Sequence, residues 1–321
     1  MSEVKIEIAK TEDAESIAKV AYQVAQLHDE ALPEYFRPVP KEEQLRSIQN
    51  MLKDEKIVVF KAIYDGKICG FLFLEIAENM NAEYSKFGFI LNLGVDEAFR
   101  KLGIGQALMK RAEEYLKQRK IEALCLEVFD FNNNAVVFFE KIGFKATNLY
   151  MRKILADVSA VDGDDSIKIL KANEKDVQEI AKIYNQSSKL HKSFEISFFK
   201  RSSYDENFDY IKKILKDDEF VRLMAVKNDK IVGFLFMIIK SRRSDGLTYP
   251  IKGYICNFAV EETYRRKGVG EKLIKAAEKY VYKKGVLVLD LDVHAFNQNA
   301  FEFYQHSGYN VMYKFMRKVL K

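Results

Sequence analysis

The sequence predicts an α/β protein built from two tandem domains, each a mixed sheet with helices on both faces. Three observations predict it. The chain repeats itself: Gly103 and Gly268, Asn132 and Asn297, Gly143 and Gly308, and the Met-Arg-Lys triplets at Met151 and Met316, are each 165 residues apart. Earlier pairs, Ile17-Ala18-Lys19 with Ile180-Ala181-Lys182 and Gly70 with Gly233, are 163 apart, so two residues enter the second copy between Gly233 and Val260. A repeat of that length is a duplicated domain, too long for a solenoid unit. Within each copy the apolar pattern alternates between period 2 and period 3.6 in the order β-α-α-β-β-β-α-β-α-β-β. Finally, 321 residues supply cores for two ordinary domains, and 48% hydrophobic with 31% charged residues is the composition of a folded globular chain.

In the first copy, Val4–Ile8 alternates as a short strand. Ile17, Val20, Ala21, Val24 and Leu27 recur at helical spacing across Asp13–Leu27. A second helix covers Lys41–Leu52, following the breakers Pro38 and Pro40. The runs Ile57–Ile63 and Lys67–Ile76 flank Tyr64-Asp65-Gly66, a hairpin signal. A strand at Ile90–Val95 then leads through a basic glycine turn into a helix over Gln106–Lys117. Ala123–Val128 is the next strand and Asn134–Ile142 a short helix, and a final pair of short strands ends at Lys153-Ile154. The second copy repeats this from Ile167. The expected domains are therefore 1–156 and 166–321, joined by the short acidic linker 157–165.

Composition narrows the function classes. A net charge of +5 is a small excess, so no nucleic-acid partner is expected. Cys69, Cys125 and Cys256 all fall in apolar strand-like runs and read as reduced, packed thiols. The start of the chain has no signal-like apolar stretch, and no 18-residue apolar run occurs. A cytoplasmic protein with no membrane partner and no metal is the expectation.

The turns carry the chemistry. Arg100, Lys101, Leu102, Gly103, Ile104 and Gly105 form the first; Arg265, Arg266, Lys267, Gly268, Val269 and Gly270 form the second. Each opens a helix, whose first N–H groups have no intrahelical partner and whose dipole favours an anion. Glycines let a phosphate or pyrophosphate approach the backbone. The dinucleotide-binding pattern is excluded because Leu108 and Leu273 stand where its third glycine belongs, and no Gly-Lys-Ser/Thr of a P-loop follows either turn. About thirty residues on comes a second motif, Asn132-x-x-Ala135-x-x-x-Phe139-x-x-x-Gly143-Phe144 in one copy and Asn297-x-x-Ala300-x-x-x-Tyr304-x-x-x-Gly308-Tyr309 in the other.

Strand, Arg-x-x-Gly-x-Gly turn, helix, strand and this second motif together resemble the GCN5-related N-acetyltransferase (GNAT) superfamily, over nearly the whole chain and twice. The resemblance implies two acyl-CoA N-acyltransferase-like domains that use acetyl-CoA and transfer its acetyl group directly to a primary amine in a ternary complex. It implies that the turns hold the pyrophosphate. The strand before each turn is expected to splay from its neighbour, its backbone at Leu93, Gly94 and Val95, or Phe258, Ala259 and Val260, binding the pantetheine arm. Asn132 and Asn297 are the expected pantetheine contacts.

The family's tyrosine, which protonates the departing thiolate, corresponds to Tyr304 in the second copy and to Phe139 in the first. A phenyl ring has no proton to give, so the C-terminal domain is the expected catalytic one and the N-terminal domain is degenerate. Many members carry a carboxylate where this chain has Asn92 and Asn257. The base is therefore open among Asp292, His294 and His191, the last repeated by His28, while His306 faces elsewhere on its helix. The acceptor, a small-molecule or peptide amine, is expected to meet the helices after the first strand and the loop near Arg242–Tyr249. Phe194, Phe198, Phe199, Tyr204, Phe208 and Tyr210 are the aromatic candidates there, and a homodimer is compatible with this reading. The alternative is a non-catalytic acyl-CoA-binding or sensing protein.

Overall fold

The computed structural model describes residues 3–78, 84–156, 166–194, 203–241 and 248–320, the side chains of 190–194 excepted. The expected linker 157–165 lies outside them. The first half runs β1 (Lys5–Ile8), α1 (Ala14–Ala31), α2 (Lys41–Lys53), β2 (Ile57–Tyr64), β3 (Lys67–Glu78), β4 (Lys86–Val95), α3 (Ile104–Lys117), β5 (Ala123–Phe129), α4 (Asn133–Lys141) and β6 (Lys145–Ile154). The second half repeats it as β7 (Ile167–Lys171), α5 (Val177–Phe194), α6 (Tyr204–Lys216), β8 (Phe220–Lys227), β9 (Lys230–Ser241), β10 (Ile251–Val260), α7 (Val269–Lys283), β11 (Val288–His294), α8 (Gln298–His306) and β12 (Asn310–Val319). The chain is thus a mixed α/β protein in which one fold occurs twice. One expectation is corrected: each copy closes on a single ten-residue strand, not a pair of short ones. Neither segment holds a glycine or proline to break it.

The strands carry helices on both faces because their residues alternate. Phe71 and Phe73 of β3 pack against α1 and α2, with Ile17, Val20 and Ile48. Their neighbours Leu72 and Leu74 pack on the other face with Leu108, Ala112 and Leu116 of α3. β9 repeats the division, with Phe234 and Phe236 facing α5 and α6, and Leu235 and Met237 facing α7. The β2–β3 and β8–β9 hairpins turn at Asp65-Gly66 and Asn228-Asp229, where both central residues have positive φ, as a twist-matched two-residue turn requires.

The compact units do not follow chain order. One comprises Met1–Thr147, Ser244–Thr248 and Tyr313–Lys321, the other Asn148–Arg243 and Tyr249–Met312. The last strand of each half has therefore changed places. In the first unit the sheet order is β1-β2-β3-β4-β5-β12, and β12 pairs antiparallel with β5 from Tyr313↔Phe129 to Val319↔Ala123. In the second it is β7-β8-β9-β10-β11-β6, with β6 pairing β11 from Asn148↔His294 to Ile154↔Val288. Met316 is accordingly buried in the first unit's core and Met151 in the second's. Lys318 pairs with Glu113 of α3, and Lys153 pairs with Glu278 of α7 at 2.8 Å. No helix among the described residues is long and apolar enough to cross a membrane.

Candidate active site

In the second unit, β10 pairs with β11 in parallel only over Gly253–Ile255 and Leu289–Leu291. Its register with β9 shifts between Ile255 and Asn257, which makes Cys256 a bulge. A bulge bends and twists its strand. Past it β10 leaves β11, and among the described residues the edge of Asn257–Val260 on that side has no ladder partner. The first unit does the same: β4 and β5 pair over Gly88–Ile90 and Leu124–Leu126, and the shift leaves Leu91 as the bulge. The expected splay is present in both units.

At the open end each strand runs into its turn. Gly103 and Gly268 have φ of +78° and +77°, with nothing near a would-be Cβ, so glycine is required there by conformation and not by space. The first intrahelical bonds are Ala107 N–H to Gly103 O and Lys272 N–H to Gly268 O, so the N–H groups of Val269, Gly270 and Glu271 precede the ladder of α7. A Cβ on Gly270 would lie 3.2 Å from Phe258 and 3.3 Å from Phe303, so the helix start is seated tightly on the splayed strand. The arginines that open the turns bend back on them: Arg265 Nε donates to Val260 O at 3.1 Å, and Arg100 Nε to Val95 O at 3.3 Å. They brace the turn, and the cradle itself is backbone. Lys267 lies 5.7 Å from the Tyr264 ring, and Val269 is in the core. In the first turn Leu102 is exposed and Ile104 is buried.

One cavity of about 1160 Å³ runs along this cleft of the second unit. Phe258, Ala259, Val260, Arg265, Gly268 and Gly270 line one wall, and Arg266 extends it. Leu291, Asp292, Val293, His294, Asn297 and Tyr304 line the wall across from it. Asn297 caps α8, its Oδ1 accepting from Ala300 N–H at 3.2 Å, and Asn132 caps α4 through Ala135 N–H at 3.1 Å. Tyr304 sits between Phe258 and Phe303, and burial pushes its pKa up, which keeps its proton in place at neutral pH. Its counterpart Phe139 packs at 5.1 Å from Phe138 and 5.7 Å from Phe144 in the first core.

The face of β10 and β11 opposite α7 holds a polar cluster of which the sequence reading singled out Asp292, Asn257 and Tyr210 but not Asp290, Tyr150, Lys252 or Tyr254. Asp290, fully buried, takes both Arg152 Nε and Nη2 at 2.7 Å, the Tyr150 hydroxyl, and Lys252 Nζ at 3.2 Å. Tyr150 and Tyr254 stack at 6.3 Å, and the Tyr254 hydroxyl donates to Asp292 Oδ2. Tyr210 of α6 donates to Asn257 Oδ1 at 3.1 Å. A signal existed: 165 residues earlier, Lys252, Tyr254 and Asp290 are Phe87, Phe89 and Cys125. The first unit has an apolar version, in which Phe89 stacks on Phe315 at 6.1 Å and Arg317 Nε meets Cys125 Sγ at 3.3 Å.

The other candidates divide. His294 receives the Asn148 amide at Nδ1, 3.2 Å away, and stacks on Phe296 at 5.3 Å. His306 is exposed at the cavity rim and bonded to Glu302 O. Cys256 lines the cleft, and burial pushes its thiol up to about 11, which keeps it unreactive. His28 sits among Phe36, Phe129 and Phe131, its ring 4.9 Å from that of Phe129, so aromatic side chains fill the first unit where Phe129 stands for His294. The side chains of His191 and Phe194, residues Phe198 and Phe199, and the 242–247 part of the expected acceptor loop lie outside the described residues. Tyr204 is exposed, and Phe208 packs against the α5–α6 core. No cluster able to hold a metal occurs among the described residues.

A bulged, splayed strand beside a glycine-capped helix start makes a site for a long ligand with an anionic end. Among the described residues, backbone N–H groups outside the helical ladder lie at one end and a strand edge without a ladder partner runs beyond them, so the residues present fit coenzyme A. Residues 24–144 and 181–309 each match the family described as Acetyltransferase (GNAT) family, and the chain belongs to that family. It is 39% identical over 70 residues to the uncharacterized N-acetyltransferase YdgE of Bacillus subtilis, a match spanning 22% of this chain and 45% of that protein. It is 30% identical over 121 residues to an N-alpha-acetyltransferase of Sulfurisphaera tokodaii, covering 36% of this chain and 69% of that one. The crystal structure of a GCN5-related N-acetyltransferase from Sphaerobacter thermophilus shares the fold, with a TM-score of 0.58 at 17% identity over 99% of this chain and 96% of that one.

Proposed function

We propose that the protein is an acetyl-CoA-dependent N-acetyltransferase whose chemistry takes place in the second unit, on a primary amine that meets the thioester in a ternary complex. The observation that carries this reading is Tyr304, a buried hydroxyl-bearing side chain that lines the second unit's cleft, where the equally buried twin residue Phe139 has no proton to give. Bound acetyl-CoA would supply an acetyl group activated as a thioester. The N–H groups at Val269, Gly270 and Glu271 hold its pyrophosphate, and the free edge of Phe258–Val260 aligns the arm. Tyr304 Oη gives its proton to the departing sulfur. The first unit keeps the cradle at Arg100–Gly105 with Leu93–Val95 and Asn132, and serves as a second coenzyme A site without turnover. Three packed, unpaired thiols suit a cytoplasmic protein.

The test pairs calorimetry with transfer of acetyl to an amine panel: an alanyl peptide, spermidine, an aminoglycoside and free amino acids. Tyr304→Phe is expected to lower turnover about 10²–10⁴-fold, the usual worth of general acid catalysis, with coenzyme A affinity little changed. Unchanged kinetics would remove the acid role. Coenzyme A binding with transfer to no amine would favour a sensing protein over an enzyme.

A further inference from the structure

Resting on that reading, we infer that Asp292, held by the Tyr254 hydroxyl, is the carboxylate that takes the proton of the incoming amine. Position is the first argument. The parallel pairing of β10 and β11 ends at Ile255 and Leu291, so Asp292 is the first residue of β11 past the point where the strands part. It stands at the apex of the cleft and lines the cavity, on the strand face that alternation turns away from Leu291 and Val293 in the core.

Elimination is the second. The family position on β10 is Asn257, which cannot take a proton and is occupied by Tyr210. Asp290 has no exposure and is neutralised by Arg152 and Lys252. His294 is tied to Asn148 through Nδ1 and stacked on Phe296. Asp292, by contrast, is open to the cleft, and Tyr254 is the side chain that holds it.

The twin unit is the third argument. There Glu127 occupies the equivalent place, but Phe89, Phe87 and Cys125 replace Tyr254, Lys252 and Asp290. The same fold therefore stands without the polar set, and folding does not account for its presence in the second unit. Desolvation in the cleft raises the Asp292 pKa, while Tyr254 and Lys252 act to lower it and Asp290 to raise it. Lys240, 5.4 Å over the Tyr254 ring, is the further cation from β9. The raising effects prevail, so the carboxylate is more basic than a solvated aspartate.

The step balances. Asp292 accepts one proton from the ammonium and later returns it to solvent. The nitrogen–carbon bond forms as the carbon–sulfur bond breaks, Tyr304 protonates the sulfur, and the proton that nitrogen then sheds restores Tyr304. Tyr254 is a positioning residue.

The experiment uses the full chain and whichever amine of the panel above wild type acetylates. Asp292→Asn is expected to lower kcat about 10²–10⁴-fold and abolish the acidic limb of the kcat/KM profile, with coenzyme A binding retained in calorimetry. Asp292→Glu should recover part of the rate. Tyr254→Phe removes a hydrogen bond that favours the carboxylate, so the acidic limb should move to higher pH, a shift that loss of packing alone would not produce. Wild-type turnover and an intact acidic limb in Asp292→Asn would overturn the assignment while leaving the acetyltransferase reading standing. Wild type that transfers to no amine would overturn both.

Discussion

The exchange of last strands makes a prediction that chain order alone would get backwards. Met316 lies in β12, near the C-terminal end of the chain, yet its side chain is fully buried among residues of the first half, with Leu72, Leu108 and Leu124. Cutting it to alanine leaves a cavity in that core, and large-to-small changes at such sites cost about 2–5 kcal/mol. Even the lower figure raises the population of opened first unit about 30-fold. Hydrogen exchange read by mass spectrometry should therefore show Met316→Ala accelerating the amides of β3 and α3, near Leu72 and Leu108–Leu116, while α7 keeps its protection. Met151→Ala, buried in the other core with Leu273 and Leu289, should do the reverse. Faster exchange of α7 in Met316→Ala, with α3 unchanged, would refute the exchange of strands.

Two further outcomes follow from local geometry. Gly268→Ala asks an L-residue to hold φ +77° where no atom obstructs the new Cβ, so its cost is conformational, about 1–2 kcal/mol; a denaturant melt should register it, and calorimetry should show weaker coenzyme A binding in the second unit. Cys256, with its thiol at about 11 against an ordinary 9.0, holds about 100-fold less thiolate at neutral pH than a free cysteine. Its alkylation by iodoacetamide, followed by peptide mass spectrometry, should be slow at pH 7.5 and rise with pH as the thiolate forms, and rapid labelling of native protein at pH 7.5 would contradict the burial.

Much of the fold was legible because each element carries its own signal. The helical spacing of Ile17, Val20, Ala21 and Val24, the Asp65-Gly66 turn and the glycines at 103 and 268 are short-range features, and the elements fall within a few residues of where they were expected. The destination of β6 and β12 was not legible. Their Met-Arg-Lys segments are the same in both copies, so each strand offers the same buried methionine and the same lysine for Glu113 or Glu278. Local pattern cannot choose between two sheets that accept either strand. The cleft was legible where backbone makes it, at the turns and splayed strands. The polar cluster was not, since Asp290, Tyr150 and Lys252 come from three strands and only the fold brings them together.

These two gaps are connected. Read in chain order, Tyr150 and Arg152 belong with Cys125, and Phe315 and Arg317 belong with Asp290. The exchange reverses both assignments. Arg152 closes on Asp290 and Tyr150 stacks on Tyr254, while Phe315 stacks on Phe89 and Arg317 faces a thiol. Each strand therefore matches the sheet it has joined, polar with polar and apolar with apolar. Swapping them back would leave Tyr150 beside the phenylalanines and give Asp290 one fewer hydroxyl donor, and a buried carboxylate that loses a donor is costly. The first half of the chain thus contributes two of the side chains that hold Asp290, two positions from Asp292 on the same strand face. The polar face of the second cleft is in this sense encoded in both halves, and the duplicated domains are not independent copies.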